Sequence, residues 1–141
     1  MKQVSLISVI GGGLMGHGIA LTLARAGHQV RVYDPSVEAR QSLKPRISDS
    51  LELLDVGDAQ TKLVLENIEV CETIVTSVKE AEIVFEAGPE KLEVKHQIFS
   101  DIENHAPKNA ILASNTSVIP ITKIMQHLNG KHRALGTHWW N

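Results

Sequence analysis

The chain has 141 residues, enough for one domain with a substantial core but too short for two. A formal net charge of −2, a pI near 6.4 and the lack of a basic run argue against nucleic acid or an anionic membrane as the main partner. The single cysteine, Cys71, excludes an internal disulfide and fits a small core residue in a cytoplasmic protein. We expect no membrane span or targeting segment, because no apolar run approaches ~20 residues and no signal-peptide pattern is present.

The most informative pattern is a glycine-rich segment between a predicted strand, residues 4–10, and a predicted helix that ends near Gly27. Gly11, Gly13 and Gly16 match the G-x-G-x-x-G fingerprint, in which the glycines allow a tight turn, close approach of a pyrophosphate and close helix–strand packing. The unpaired N–H groups of the helix start favour a phosphate there. In this context the fingerprint predicts dinucleotide binding rather than a simple glycine-rich turn, with FAD still possible.

The next predicted strand, residues 29–33, ends at Asp34. This is close to the spacing at which a carboxylate binds the adenosine ribose. A 2′-phosphate beside that carboxylate would be repelled by up to about 4 kcal/mol at ~4 Å. Asp34 therefore predicts NAD rather than NADP.

Beyond Asp34, Ser36 is expected to cap a helix that Pro45 kinks or ends before a second helical piece near residues 47–54. Gly57 then breaks the helical pattern. Further helices are predicted at 90–105 and, interrupted early by Pro120, at 117–128, and strands at 67–71, 81–87, 110–113 and 133–138.

Alternating strands and helices predict an α/β fold, a doubly wound and mostly parallel sheet of the Rossmann type spanning residues 1–141. Ligands of such sheets bind beyond the carboxyl ends of the strands. We therefore expect Asp34, residues 86–90, residues 114–117 and His138 to lie along one edge. No metal site is predicted.

Two polar segments at this edge could carry chemistry. Residues 114–117, Ser-Asn-Thr-Ser, follow an apolar strand, where such residues usually form turns and helix caps. His138 ends the last predicted strand and precedes Trp139 and Trp140. It is the most suggestive of the seven histidines because it alone ends a predicted strand, although a lone histidine is more often solvated or packed than catalytic.

The whole chain resembles the NAD-binding domain of the L-3-hydroxyacyl-CoA dehydrogenases. Five blocks occur in the family's order: residues 11–16; Asp34; residues 86–90 with Lys95 and Phe99; residues 113–117; and residues 136–141. The resemblance implies an NAD-dependent oxidoreductase that converts an L-3-hydroxyacyl-CoA to the 3-ketoacyl-CoA, a step of fatty acid β-oxidation. It also implies an acyl-CoA substrate and a homodimeric full-length protein.

The resemblance assigns roles residue by residue. His138 is implied as the general base, and Ser117 as the residue that hydrogen-bonds the 3-oxygen of the substrate and lies at the cofactor. The implied cofactor-binding residues are Gly11, Gly12, Gly13, Leu14, Met15, Gly16 and Asp34, with Glu90, Lys95 and Asn141 at the nicotinamide ribose.

Some positions depart from the family pattern. His17 replaces a small residue and either contacts the pyrophosphate or, as we prefer, points to solvent. Trp139 and Trp140 stand where two Phe are usual. Ser50 matches a coenzyme A contact of the family, but Gly57 falls about where its lysine should be. Carnitine or L-gulonate-type hydroxy-acid dehydrogenases of the same superfamily remain alternatives, as does a non-catalytic NAD-binding module.

The chain ends at Asn141, before the carboxylate that pairs with the catalytic His in this family and before its helical dimerisation domain. A His without its orienting carboxylate loses up to about four orders of magnitude in rate in serine-protease triads. We therefore expect residues 1–141 alone to bind NAD and to turn over substrate weakly or not at all.

Overall fold

The computed structural model describes residues 4–140, and within them six parallel strands form one sheet. The strand order is β3-β2-β1-β4-β5-β6, which confirms the predicted doubly wound arrangement. The strands are β1 Leu6–Ile10, β2 Gln29–Tyr33, β3 Ile68–Cys71, β4 Ile83–Glu86, β5 Ile111–Ser114 and β6 Ala134–Gly136.

Helices cover both faces of the sheet, each over its own apolar cluster. One face carries α1 Leu14–Arg25, α2 Val37–Leu53 and α3 Asp58–Glu66, and the other carries α4 Ile74–Val78, α5 Leu92–His105 and α6 Ile121–Met125. A 3₁₀ turn, Lys131–Arg133, precedes β6. The central strands are apolar because both of their faces are buried. Cys71 is buried at the end of β3, as predicted for a core residue.

The chain reverses its direction of winding between β1 and β4, the neighbours at the centre of the sheet. Ile10 at the end of β1 lies beside both Tyr33 of β2 and Glu86 of β4, and Glu86 lies beside Ser114 of β5. The loops that follow these strands therefore leave from one edge. A crevice opens where the loops after β1 and β4 diverge, the first leading to α1 on one face and the second to α5 on the other. This is the usual ligand position in open parallel sheets.

The prediction that Pro45 ends a helix is wrong, because α2 runs through it from Val37 to Leu53. A kink at Pro45 stays a prediction. Leu43, Ile47 and Leu51 recur at i, i+4 and i+8 and are fully buried, so packing outweighs the cost of the proline. Pro45 itself is exposed, on the opposite side.

Two helices were not predicted, and the predicted bounds of others shift. The nine-residue α3 contributes one buried residue, Val64, and α4 has five residues, so neither shows a strong period. The helix predicted at 117–128 is reduced to Ile121–Met125, since Pro120 delays its start. Among residues 4–140 there is no helix with both the length and the apolar character needed to cross a membrane.

Replacing Pro45 by alanine should stabilise the protein. Proline lacks the N–H that would bond the Gln41 carbonyl, and an interior proline costs about 3 kcal/mol in a helix. Proline also restricts the unfolded chain, and this stabilises the folded state by up to about 1 kcal/mol. We expect Pro45→Ala to raise the free energy of unfolding by about 2 kcal/mol in urea titration. Gln41→Ala, at an exposed site on the same helix, should change it by less than about 0.5 kcal/mol, and an unchanged Pro45→Ala value would contradict this explanation.

Candidate active site

The glycine loop between β1 and α1 is held by close backbone contacts. Gly11 has φ 109°, and a Cβ there would lie 2.5 Å from the Ala87 carbonyl oxygen. Its N–H donates to the Tyr33 carbonyl at 2.8 Å. A Cβ on Gly16 would overlap with the Gly11 carbonyl, whereas a Cβ on Gly13 would meet nothing within 4 Å. Gly11 and Gly16 are thus required by packing, and Gly13 faces open space.

Asp34 fixes the same loop from the end of β2. One carboxylate oxygen accepts the N–H of Gly12 at 2.7 Å, and the other accepts the N–H of Ser36 at 2.8 Å. Arg40 donates to the Asp34 backbone carbonyl at 2.7 Å. The carboxylate therefore lies beside the phosphate-binding segment, where the sequence predicts a ribose contact.

A cleft of about 640 Å³ lies over this loop, within the usual size range of cofactor sites. Its walls are the glycine loop, the segment after β2, the start of α4, the loop after β4 and one side of α5. The lining is mostly apolar and includes Leu14, Met15, Tyr33, Pro35, Ile74 and Ile98, with Asp34 as one of its acidic groups. An open glycine backbone, a placed carboxylate and an apolar wall fit the phosphates, ribose and adenine of a dinucleotide.

A buried ion pair between Glu86 and Lys95 joins the end of β4 to α5. The Ser114 hydroxyl at the end of β5 completes this cluster. Glu86 accepts the Lys95 ammonium at 2.8 Å and the Gly88 N–H at 2.7 Å on one oxygen, and the Ser114 hydroxyl at 2.6 Å on the other. Glu86, Lys95 and Ser114 are at most 1% exposed. The structure therefore places the Lys95 ammonium on Glu86, beneath the surface. Its direct contact with a cofactor ribose stays a prediction.

Glu90 links the loop after β4 to the segment after β5. Its carboxylate accepts the Ser117 N–H at 3.0 Å and the Thr116 hydroxyl. Burial raises the pKa of Glu90, but these hydrogen bonds and the positive charges of Lys95 and His138 outweigh burial, so its pKa lies below the usual value. Glu90 is thus a carboxylate at neutral pH, beside the segment that carries Ser117.

The segment after β5 contains both turn-forming and free polar groups. The hydroxyls of Ser114 and Thr116 accept the N–H groups of Thr116 and Ile119, at 3.2 and 3.0 Å, as the turn interpretation predicts. The Ser117 side chain is exposed, and its hydroxyl has no hydrogen-bond partner within residues 4–140. Ser117 is therefore available to a ligand.

His138 is held in place by the residues on either side of it. The Thr137 N–H donates to the Ser114 carbonyl at 2.9 Å, and the Trp139 N–H donates to the Asn115 side-chain oxygen at 2.6 Å. His138 has φ 42°, is exposed, and its ring lies 5.4 Å from that of Trp140. The structure thus brings His138 to the edge that carries Ser117 and Glu90, although no hydrogen bond joins it to Ser117 among the described residues.

Three further positions need comment. His17 does not point to solvent as we preferred: Nδ1 lies 2.7 Å from the Leu14 carbonyl and Nε2 lies 3.2 Å from the Ser50 hydroxyl, so its ring bridges α1 and α2. Asn115 was not predicted as a positioning residue, although its amide stood within the polar segment. Asn141 lies outside the described residues.

The two glycines Gly13 and Gly16 separate binding from folding. Because Gly13 faces open space, Gly13→Ala should change the free energy of unfolding by less than about 1 kcal/mol. Its methyl group should obstruct a pyrophosphate, so we expect the affinity for NAD to fall at least tenfold. Gly16→Ala should lower stability by more than about 3 kcal/mol, because the overlap is with backbone. Urea titration and fluorescence titration with NAD measure both effects. Equal stability losses in the two variants would rule out this division of roles.

The buried ion pair should be costly to break and cheaper to replace as a unit. Lys95→Met leaves Glu86 buried without its cation, and we expect a loss of about 3–5 kcal/mol in the free energy of unfolding. The double variant Glu86→Gln/Lys95→Met removes both charges and should recover at least half of that loss. A double variant as unstable as the single one would show that the charges do not compensate each other.

The chain is similar to a known protein family and to proteins named as dehydrogenases. The model of the family described as 3-hydroxyacyl-CoA dehydrogenase, NAD binding domain, matches residues 6–141. A probable 3-hydroxybutyryl-CoA dehydrogenase of Bacillus subtilis is 36% identical over 143 residues, covering 99% of this chain and 50% of that protein. A 5-formyl-3-hydroxy-2-methylpyridine 4-carboxylate 5-dehydrogenase of Mesorhizobium japonicum is 35% identical over 136 residues, covering 96% of this chain and 44% of that protein.

A solved structure shows the same fold. The crystal structure of (S)-3-hydroxybutyryl-CoA dehydrogenase PaaH1 from Ralstonia eutropha superposes with a TM-score of 0.92 at 31% identity, covering 99% of this chain and 50% of that one. The chain therefore spans about half the length of the relatives it matches. Since the family match extends over nearly all of the chain, this chain belongs to the family of 3-hydroxyacyl-CoA dehydrogenase NAD-binding domains, and its cofactor is NAD.

Proposed function

We propose that the protein containing this chain oxidises the hydroxyl group of an L-3-hydroxyacyl-CoA to the ketone, with NAD as oxidant. The observation that carries the proposal is that exposed Ser117 and His138 lie on two segments tied together through Ser114 and Asn115. Glu90 links the Ser117 segment to the loop after β4, whose residues Gly88 and Pro89 line the cleft. The names of relatives such as the Bacillus protein support the acyl-CoA substrate.

The chemistry requires a proton and a hydride to leave the same alcohol. The glycine loop and Asp34 would hold NAD, which would supply the hydride acceptor. An unprotonated ring nitrogen of His138 accepts the hydroxyl proton as the carbon–oxygen double bond forms. The Ser117 hydroxyl donates a hydrogen bond to the same oxygen and stabilises its partial negative charge. The Glu90 carboxylate, whose pKa is influenced by the nearby His138, favours the imidazolium that results.

The cofactor residues follow from the same placement. The glycine loop, Gly11, Gly12, Gly13, Leu14, Met15 and Gly16, would bind the pyrophosphate, and Asp34 the adenosine ribose. Glu90 and Ser117 would lie towards the nicotinamide, with Lys95 acting there directly or through Glu86. Asn141, which is outside the described residues, is assigned to the same half of the cofactor by the family resemblance alone. We further propose that the complete protein is a cytoplasmic homodimer with the family's helical domain.

A hydroxy-acid dehydrogenase of the same superfamily, acting on carnitine or L-gulonate, is the second candidate. Gly57 stands where a coenzyme A contact of the family would be a lysine. The Mesorhizobium relative, named for a pyridine carboxylate substrate, is nearly as similar as the Bacillus one. A non-catalytic NAD-binding module is disfavoured because both Ser117 and His138 are present and exposed.

A parallel assay of the full-length protein distinguishes these candidates. We expect NADH formation with L-3-hydroxybutyryl-CoA, at a kcat/KM at least about a hundredfold above that with carnitine or L-gulonate, because the coenzyme A handle supplies binding energy. Absence of NADH with the acyl-CoA, together with turnover of either other substrate, would favour the second candidate.

The catalytic assignment is tested in the same assay with a matched histidine pair. His138→Ala should lower kcat by about a hundredfold to ten-thousandfold, the range of general-base contributions. His132→Ala removes another exposed histidine, from the turn before β6, and should leave kcat unchanged. Full activity of His138→Ala would remove His138 from the mechanism.

A further inference from the structure

Arg46 reaches from α2 to the back of the glycine loop. Its guanidinium donates to the Gly12 carbonyl at 2.5 Å and approaches the Gly13 carbonyl at 3.5 Å. On its own helix it donates to the Ser42 hydroxyl at 3.2 Å and approaches the Ala39 carbonyl at 3.4 Å. One side chain thus ties α2 to the centre of the fingerprint, through two carbonyls of the loop on one side and a carbonyl and a hydroxyl of α2 on the other.

The charge of Arg46 is not balanced by a neighbouring acid. No Asp or Glu oxygen in the part of the chain that the structure describes lies within 4 Å of its guanidinium nitrogens, whereas Arg31 has two such partners. Arg46 is also only partly exposed. A partly desolvated cation bound only to neutral carbonyl and hydroxyl groups favours an anion nearby.

The peptide geometry says where that anion would be. A trans peptide group points its C=O and N–H in opposite directions, so carbonyls of Gly12 and Gly13 that face Arg46 leave the N–H groups of Gly13 and Leu14 facing away from it. Gly13 and Leu14 also line the cleft. The Gly13 carbonyl also accepts the His17 N–H at 2.9 Å, so α1 and Arg46 together hold the peptide orientation that presents these donors, and Arg46 adds a positive charge behind them.

We propose that Arg46 is a positioning residue for the pyrophosphate of NAD, acting through the carbonyls of Gly12 and Gly13. It lies outside the glycine fingerprint, 33 residues beyond Gly13 in the sequence. The proposal rests on NAD as the cofactor and is independent of the substrate proposed above.

The test measures ligands with and without a pyrophosphate. Dissociation constants of NAD, ADP and adenosine are determined by titration, adenosine by competition with NAD. Arg46→Ala should raise the dissociation constants of NAD and ADP about tenfold, the loss typical of one charge-assisted interaction. The dissociation constant of adenosine should rise by less than about twofold. The difference between wild type and variant should shrink at high salt, since part of it is a long-range charge effect.

Two further variants separate charge from geometry. Arg46→Lys keeps the charge but not the planar fork and should lose less NAD affinity than Arg46→Gln, which keeps a donor without charge. Lys44→Ala is the matched control: Lys44 also leaves α2 and donates to a backbone carbonyl, that of Leu65 at 2.9 Å, on the side of α3. It should leave all three affinities unchanged.

The outcomes are decisive. Unchanged ADP and NAD affinities in Arg46→Ala, or equal losses for ADP and adenosine, would overturn the proposal, the second because it indicates a general structural defect. If Arg46→Ala does not fold, as judged by circular dichroism, the Lys and Gln variants decide: equal affinities of these two for ADP would exclude a role of the charge.

Discussion

The carboxylate of Glu86 holds together the part of the molecule that carries the exposed Ser117 and His138 side chains. It ends β4 and, without any exposure to water, binds an ammonium from α5, a hydroxyl from the end of β5 and the N–H of Gly88. A buried charge is stable only when its partners are all in place. The loops after two neighbouring strands are thereby fixed relative to each other, and Glu90 then links them a second time nearer the surface.

Close backbone packing fixes the glycine loop, just as the Glu86 carboxylate fixes the loops after β4 and β5. Gly11 and Ala87 approach each other at the point where the sheet changes its direction of winding, too closely for a side chain at Gly11. Asp34 then binds the loop from β2. The cofactor cleft and the edge that carries Ser117 and His138 therefore meet at one junction, where Gly11 packs against the loop after β4.

The features that the sequence predicted well are those written in short, local patterns. The glycine fingerprint, the strand that ends at Asp34 and the alternation of elements each depend on residues close together in the chain, so the fold and the edge of the sheet were predictable. Pro45 was misjudged because the burial of one side of α2 is a tertiary effect that outweighs a local preference. His17 and Arg46 make their decisive contacts with residues 33 or 34 positions away, and no local pattern contains such a contact.

The left-handed backbone of His138 also sets the direction of its side chain. The residues on either side of it are tethered to the neighbouring segment by backbone N–H groups, so the path of the main chain sets the direction in which the imidazole leaves it. Neither tether uses the histidine side chain. Replacing His138 should therefore leave the backbone hydrogen bonds of Thr137 and Trp139 in place. A β-branched residue would be the exception, because it tolerates a positive φ poorly.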